Sequence, residues 1–174
     1  MGIKSNRVLA SYFNMFGASG LDAVSPAPIG GYFGDIAVAH DTSPYISVYP
    51  WSSGFGTKYS NPSTLPAGIG SAVAFSPSGD DIAVAHYTSP YVSVYPWSSG
   101  FGTKYADPST LPASHAIAIA FSPDGAAIAV GHLSSPYVSV YPWTSGSGFG
   151  TKYADPSTLP GGTSWRVAFS PAAE

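Results

Sequence analysis

Three histidines, His40, His86 and His132, recur at intervals of 46 residues. Each is followed five residues later by a tyrosine (Tyr45, Tyr91, Tyr137) and eleven residues later by a tryptophan (Trp51, Trp97, Trp143). An imidazole can hydrogen-bond a hydroxyl or an anion, and exposed Tyr and Trp rings can stack on a sugar or anchor a protein partner. These nine residues are the candidate binding set, one trio per repeat. A second reading stands beside it: each His fixes the turn that follows it, and each Trp plugs the space between repeats. A shared metal is not expected, because equivalent positions in neighbouring repeats are too far apart to meet one ion at about 2 Å.

Catalysis needs a cluster that departs from the repeat, and none stands out. Asp41 beside His40 has Tyr87 and Leu133 at the matching places. Asp80 and Asp81 fall in a turn, where Asp is common for backbone reasons. The Gly-Phe-Gly-Thr-Lys runs lack the spacing and the following helix of a phosphate loop. No catalytic residue, cofactor or metal is assigned, and the expectation is a chain without enzymatic activity.

The elements that must hold these residues are short strands. In the middle repeat they are Ala72–Ser76, Asp81–His86, Tyr91–Tyr95 and Gly100–Tyr105, separated by Ser-Pro-Ser-Gly, Tyr-Thr-Ser-Pro and Pro-Trp-Ser-Ser-Gly turns. Bulky residues alternate with alanine in Ile82-Ala83-Val84-Ala85 and Ala116-Ile117-Ala118-Ile119. Such strands bury both faces, and small sheets stacked bulky face against alanine face satisfy them. The third copy carries two extra residues in Ser-Gly-Ser-Gly-Phe-Gly, a length change that a surface turn tolerates. Helical periodicity is unconvincing; its nearest approach is Arg7–Phe16.

Phe121-Ser122-Pro123-Asp124-Gly125, its near copy Phe75–Gly79, and the aliphatic strands ending in Trp97 and Trp143 resemble WD40-like repeats. The pattern departs from the family where Ser98 follows Trp97 in place of Asp, and where no Gly-His pair precedes the first strand. The resemblance implies an all-β fold, a β-propeller of four-stranded blades with three blades per chain. It covers residues 21–174, with approximate repeats 35–80, 81–126 and 127–174, after an N-terminal arm at 1–20. The wording of the copies also resembles repeat proteins of tailed phages and bacteria, which implies a structural or accessory component of a virion or tail.

Three blades leave a ring open, since propellers have about four to eight. A homo-oligomer is expected, with a six-bladed dimer favoured by symmetry. The chain ends on a lone first-type strand, Trp165–Ser170, which would complete the blade begun by Ile36–Tyr59; Leu21–Pro26 competes for that slot. The functional expectation is a propeller scaffold for assembly with a larger protein particle. The alternative is a lectin-like propeller binding a carbohydrate or receptor such as a host-surface glycan.

Composition narrows the partners further. Charged residues are 9% of the 174 and the net charge is -3, so phosphate neutralisation and nucleic-acid binding are not expected. The hydrophobic fraction of 44% argues against disorder. The absence of cysteine leaves the redox compartment unread. No run approaches the ~18 apolar residues of a membrane span. Lys4 and Arg7 precede a mildly apolar run that makes a poor signal peptide, and Asn6 breaks a myristoylation pattern. Asn61 is followed by Pro62, which blocks glycosylation. The chain is read as soluble and unprocessed, with a virion or extracellular location favoured.

Overall fold

Ile and Val residues alternating with Ala or Ser run through eight of the nine strands in the computed structural model, which describes residues 34–171. They are β1 (Gly34–Ala39), β2 (Ile46–Trp51), β3 (Gly70–Phe75), β4 (Asp81–His86), β5 (Val92–Pro96), β6 (Ala116–Phe121), β7 (Ala127–His132), β8 (Val138–Thr144) and β9 (Gly148–Phe149). The architecture is all-β, with no helix among the described residues. The strands make three open antiparallel sheets of two, three and four members, ordered β1-β2, β3-β4-β5 and β6-β7-β8-β9. The proposed arm Met1–Gly20, the run Arg7–Phe16 and the candidate strand Leu21–Pro26 lie outside the described residues.

The same hairpin chemistry recurs in the second and third sheets. Between β3 and β4, Gly79 adopts φ +78°, a conformation open to glycine without steric cost, and its N–H donates to the Ser76 carbonyl at 2.9 Å. Ser76 then locks the far side: its Oγ accepts the Asp81 N–H at 3.1 Å. Ser122 and Gly125 repeat the device between β6 and β7, with Ser122 Oγ accepting the Ala127 N–H at 2.9 Å. Register follows the repeat: Val73 pairs with Val84 and Phe75 with Ile82, as Ile119 pairs with Val130 and Phe121 with Ile128.

Sheet faces stack as the alternation demands. One cluster joins Ala83, Ala85, Val92 and Val94 of the second sheet to Ile119, Ile128, Val130, Tyr141 and Trp143 of the third. Another joins Ile46 and Val48 of the first to Ile82, Val84, Tyr95 and Trp97 of the second. Each sheet thus presents a smoother face to the next sheet's bulky one. At roughly 1.5–3 kcal/mol per fully buried large side chain, these interfaces are the main cohesive term.

Two strand expectations are corrected. Gly100–Tyr105 forms no continuous strand: it touches β5 through a Trp97–Phe101 bridge and bonds from Gly102 N–H to the Pro96 carbonyl and Tyr105 N–H to the Val94 carbonyl. Pro96 offers a carbonyl but no N–H, so the ladder cannot run in both directions. Only the third copy makes a formal fourth strand, β9, and its extra residues lie in the turn leading to it. Trp165–Ser170 is likewise unpaired among the described residues, and Trp165 is 68% exposed.

Candidate functional site

The histidines at the strand ends turn inward. His86 and His132 are fully buried, while His40 is partly exposed. The His86 Nδ1 lies 2.7 Å from the Thr88 carbonyl, which can only accept, so Nδ1 carries the hydrogen. Its Nε2 then accepts from the Ser93 hydroxyl at 3.0 Å. His132 repeats this with the Ser134 carbonyl at 2.8 Å and Ser139 at 3.2 Å, and His40 Nε2 meets Ser47 at 3.1 Å. Burial, the largest influence, holds the His86 and His132 imidazoles below the ordinary histidine value. The His86 and His132 rings therefore each span the turn and the adjacent strand as a neutral bridge.

The tyrosines Tyr45, Tyr91 and Tyr137 close the same turns in a left-handed conformation, with φ between 69° and 71°. Tyr91 N–H donates to the Thr88 carbonyl at 2.8 Å, and the His86 N–H donates to the Tyr91 carbonyl at 2.9 Å. The Tyr91 ring packs against the cluster between the second and third sheets.

Of the two readings of the tryptophans, exposed ring or plug between repeats, Trp97 and Trp143 follow the second and are not displayed on a rim. Trp97 and Trp143 are 6% and 4% exposed, seated between sheets. The reason is a carboxylate in the preceding sheet. Asp35 Oδ2 accepts the Trp97 indole N–H at 2.9 Å and its Oδ1 accepts the Tyr59 hydroxyl at 3.0 Å. Asp81 does the same for Trp143 at 3.0 Å and Tyr105 at 2.8 Å. The rings add edge-on contacts, with Tyr59–Trp97 centroids 5.1 Å apart and Tyr105–Trp143 centroids 4.9 Å apart. Burial first, with the Asp carboxylate reinforcing it, pushes the Tyr59 and Tyr105 hydroxyls up and keeps them protonated donors. Both oxygens of each carboxylate are occupied by neutral donors, so the group clamps two sheets together.

Asp35 and Asp81 are functional residues of this interface that reading the turn alone does not find. The signal lay in their shared place in the repeat and in Ala127, which stands where a third carboxylate would be. Beside Ala127 the series ends: Tyr153 is 52% exposed and its hydroxyl has no partner among the described residues. At the other end Trp51 is half-buried against Phe55, its centroid 5.2 Å away, and its indole has no carboxylate among the described residues.

Between the first and second sheets the described residues also form an open cavity of about 240 Å³, lined by Gly34, Asp35, Phe75, Pro77, Gly79 and Trp97 among others. Among the described residues no three acidic or histidine side chains are grouped to hold a metal.

No family model and no curated protein matches this chain. Among solved structures it is similar to one from Bacteroides fragilis titled as a putative 6-phosphogluconolactonase, at 14% identity and a TM-score of 0.48. That likeness covers 62% of this chain and 31% of the other, so the match spans under a third of the other protein's length. A solved structure that this chain resembles is thus named as an enzyme, against the expectation of a chain without enzymatic activity, and that expectation is not carried further.

Proposed function

We propose that the chain is a WD40-like propeller scaffold for protein assembly, and that its first act of assembly is closure with a second copy into a ring of six sheets. The observation that carries this reading is the mismatch between its two ends. The first sheet turns its bulky face outward, with Val38 42% exposed, while the third sheet ends the array on its smoother face. Every interior junction joins those two kinds of face. A head-to-tail meeting of copies therefore reproduces a junction the fold already uses, and two such meetings close a ring within the usual blade range.

The deciding measurement is mass in solution across a dilution series. A species of twice 17.8 kDa is expected. A monomer at every concentration overturns the reading.

A further inference from the structure

The two ends of the array hold complementary halves of one strand pairing. Among the described residues β1 pairs with β2 alone, whereas β4 and β7 each have a further neighbour, β3 and β6. The segment Val167-Ala168-Phe169-Ser170-Pro171 has the wording of that missing neighbour, matching Val73-Ala74-Phe75-Ser76-Pro77. It also leaves the third sheet as β3 leaves the first. The Ser164 N–H donates to the His132 carbonyl at 3.4 Å, where the Gly70 N–H donates to the His40 carbonyl at 3.0 Å. Beyond that point the segment makes no hydrogen bond to β1 within its own chain.

The cavity supplies an independent observation. Between the second and third sheets, Pro77 Cδ sits 3.7 Å from where a Cβ on Gly125 would stand. At the equivalent Gly79, one repeat earlier, nothing lies within 4 Å. That open space belongs to the cavity of about 240 Å³ beside Asp35 and Trp97. What fills the equivalent place one repeat later is the proline that follows a first-type strand.

We infer that Trp165–Pro171 of a second copy pairs antiparallel with the edge of β1 that is unpaired among the described residues, setting Val167 opposite Val38, Phe169 opposite Ile36, and Pro171 into this cavity. The register is that of Val73 on Val84 and Phe75 on Ile82. Ser170 Oγ then accepts the Asp35 N–H, as Ser76 accepts that of Asp81. The Phe169 ring meets Trp51 edge-on, as Phe75 meets Trp97 with centroids 5.8 Å apart. Main-chain bonds give the joint its affinity, and the Phe and Pro seats give it its register. This joint rests on the assembly reading above, and the two can fail separately.

The native chain has no cysteine, which makes cross-linking specific. Full-length Val38→Cys chains are mixed with full-length Val167→Cys chains under mild oxidation. Directly opposed strand positions bring Cβ atoms within roughly 5.5 Å, close enough to bridge with a small backbone adjustment. A disulfide-linked pair of unlike chains is expected. Val38→Cys mixed with Ala168→Cys should link poorly, because adjacent strand residues face opposite ways. In the cysteine-free chain, Phe169→Ala should weaken association on the order of a hundredfold, with circular dichroism confirming an unchanged fold.

A dimer that shows no Val38–Val167 link, or that ignores Phe169→Ala, overturns the joint and leaves the assembly reading in place. A chain that stays monomeric overturns both. An intramolecular link in the V38C/V167C double variant, or in a D22C/V38C double variant, assigns the strand to the same chain and overturns the exchange.

Discussion

The Trp97 indole donates to Asp35 across 62 residues of sequence, and Trp143 repeats the bond to Asp81 across the same separation. A tryptophan of one sheet is thereby fastened to the edge of the sheet before it. The Asp81 carboxylate is 1% exposed and holds two donors, the Trp143 N–H and the Tyr105 hydroxyl. Asp81→Ala should cost on the order of 3 kcal/mol, because it strands both donors. Asp81→Asn should cost less, since its amide oxygen still accepts one of them. Urea midpoints of the two variants check the order; equal loss, or none, would remove the clamp from the account.

Stability should fall as pH drops from 7.5 to 5. His86 and His132 titrate below their ordinary value in the folded chain. The unfolded chain therefore takes up protons first, near the usual histidine value of about 6.5. Between that value and the lower folded one the unfolded state binds more protons, so lowering pH favours unfolding. Stability is fully present above about 6.5 and is lost progressively below it. The Asp124 carboxyl, held below its ordinary range first by the Ser122 hydroxyl, titrates beneath this window. Urea midpoints in wild type and His86→Gln test it: the variant should show a shallower pH slope. An unchanged slope refutes the assignment.

Two equivalent tyrosines should respond differently to losing a hydroxyl. Tyr95 and Tyr141 are both fully buried, and burial pushes both hydroxyls up, Tyr141 to about 12. Tyr95 donates to the Thr64 carbonyl at 2.8 Å, while the Tyr141 hydroxyl has no partner among the described residues. Tyr95→Phe should destabilise by about 1 kcal/mol. Tyr141→Phe should be neutral or stabilising, since it removes a buried polar atom without breaking a bond. Thermal unfolding of the pair decides, and equal effects contradict it.

How far residues alone reveal this molecule depends on whether the partner of each group is local. The β4 strand Asp81–His86 is legible because its alternation and flanking turns lie within a dozen residues. The stacking of alanine faces on bulky ones is legible for the same reason. The role of Asp81 is not: in sequence it looks like a turn residue, and its partner Trp143 lies a repeat and a third away. The buried state of Trp97 was open for that same reason, since a proline-flanked strand end looks like a rim. Trp165–Ser170 reads as a strand by pattern, yet among the described residues it pairs with no strand, because pairing depends on an edge that lies far from it in sequence.

Position 127 offers a gain of function. If a second copy closes the array, its Trp51 arrives beside Ala127 and Tyr153, as Trp97 arrives beside Asp35 and Tyr59. Interior junctions have a carboxylate there and the seam has alanine. Ala127→Asp should supply the missing acceptor to both the incoming indole and the Tyr153 hydroxyl. A charge-assisted hydrogen bond is worth roughly 1.5–3 kcal/mol, offset in part by desolvating the carboxylate. Association should tighten by about tenfold, and the gain should vanish when Trp51→Phe is added, because phenylalanine keeps the ring and loses the N–H. Sedimentation equilibrium on the single and double variants measures this. A variant Ala127→Asp that associates no better than the parent means that Trp51 does not meet this edge.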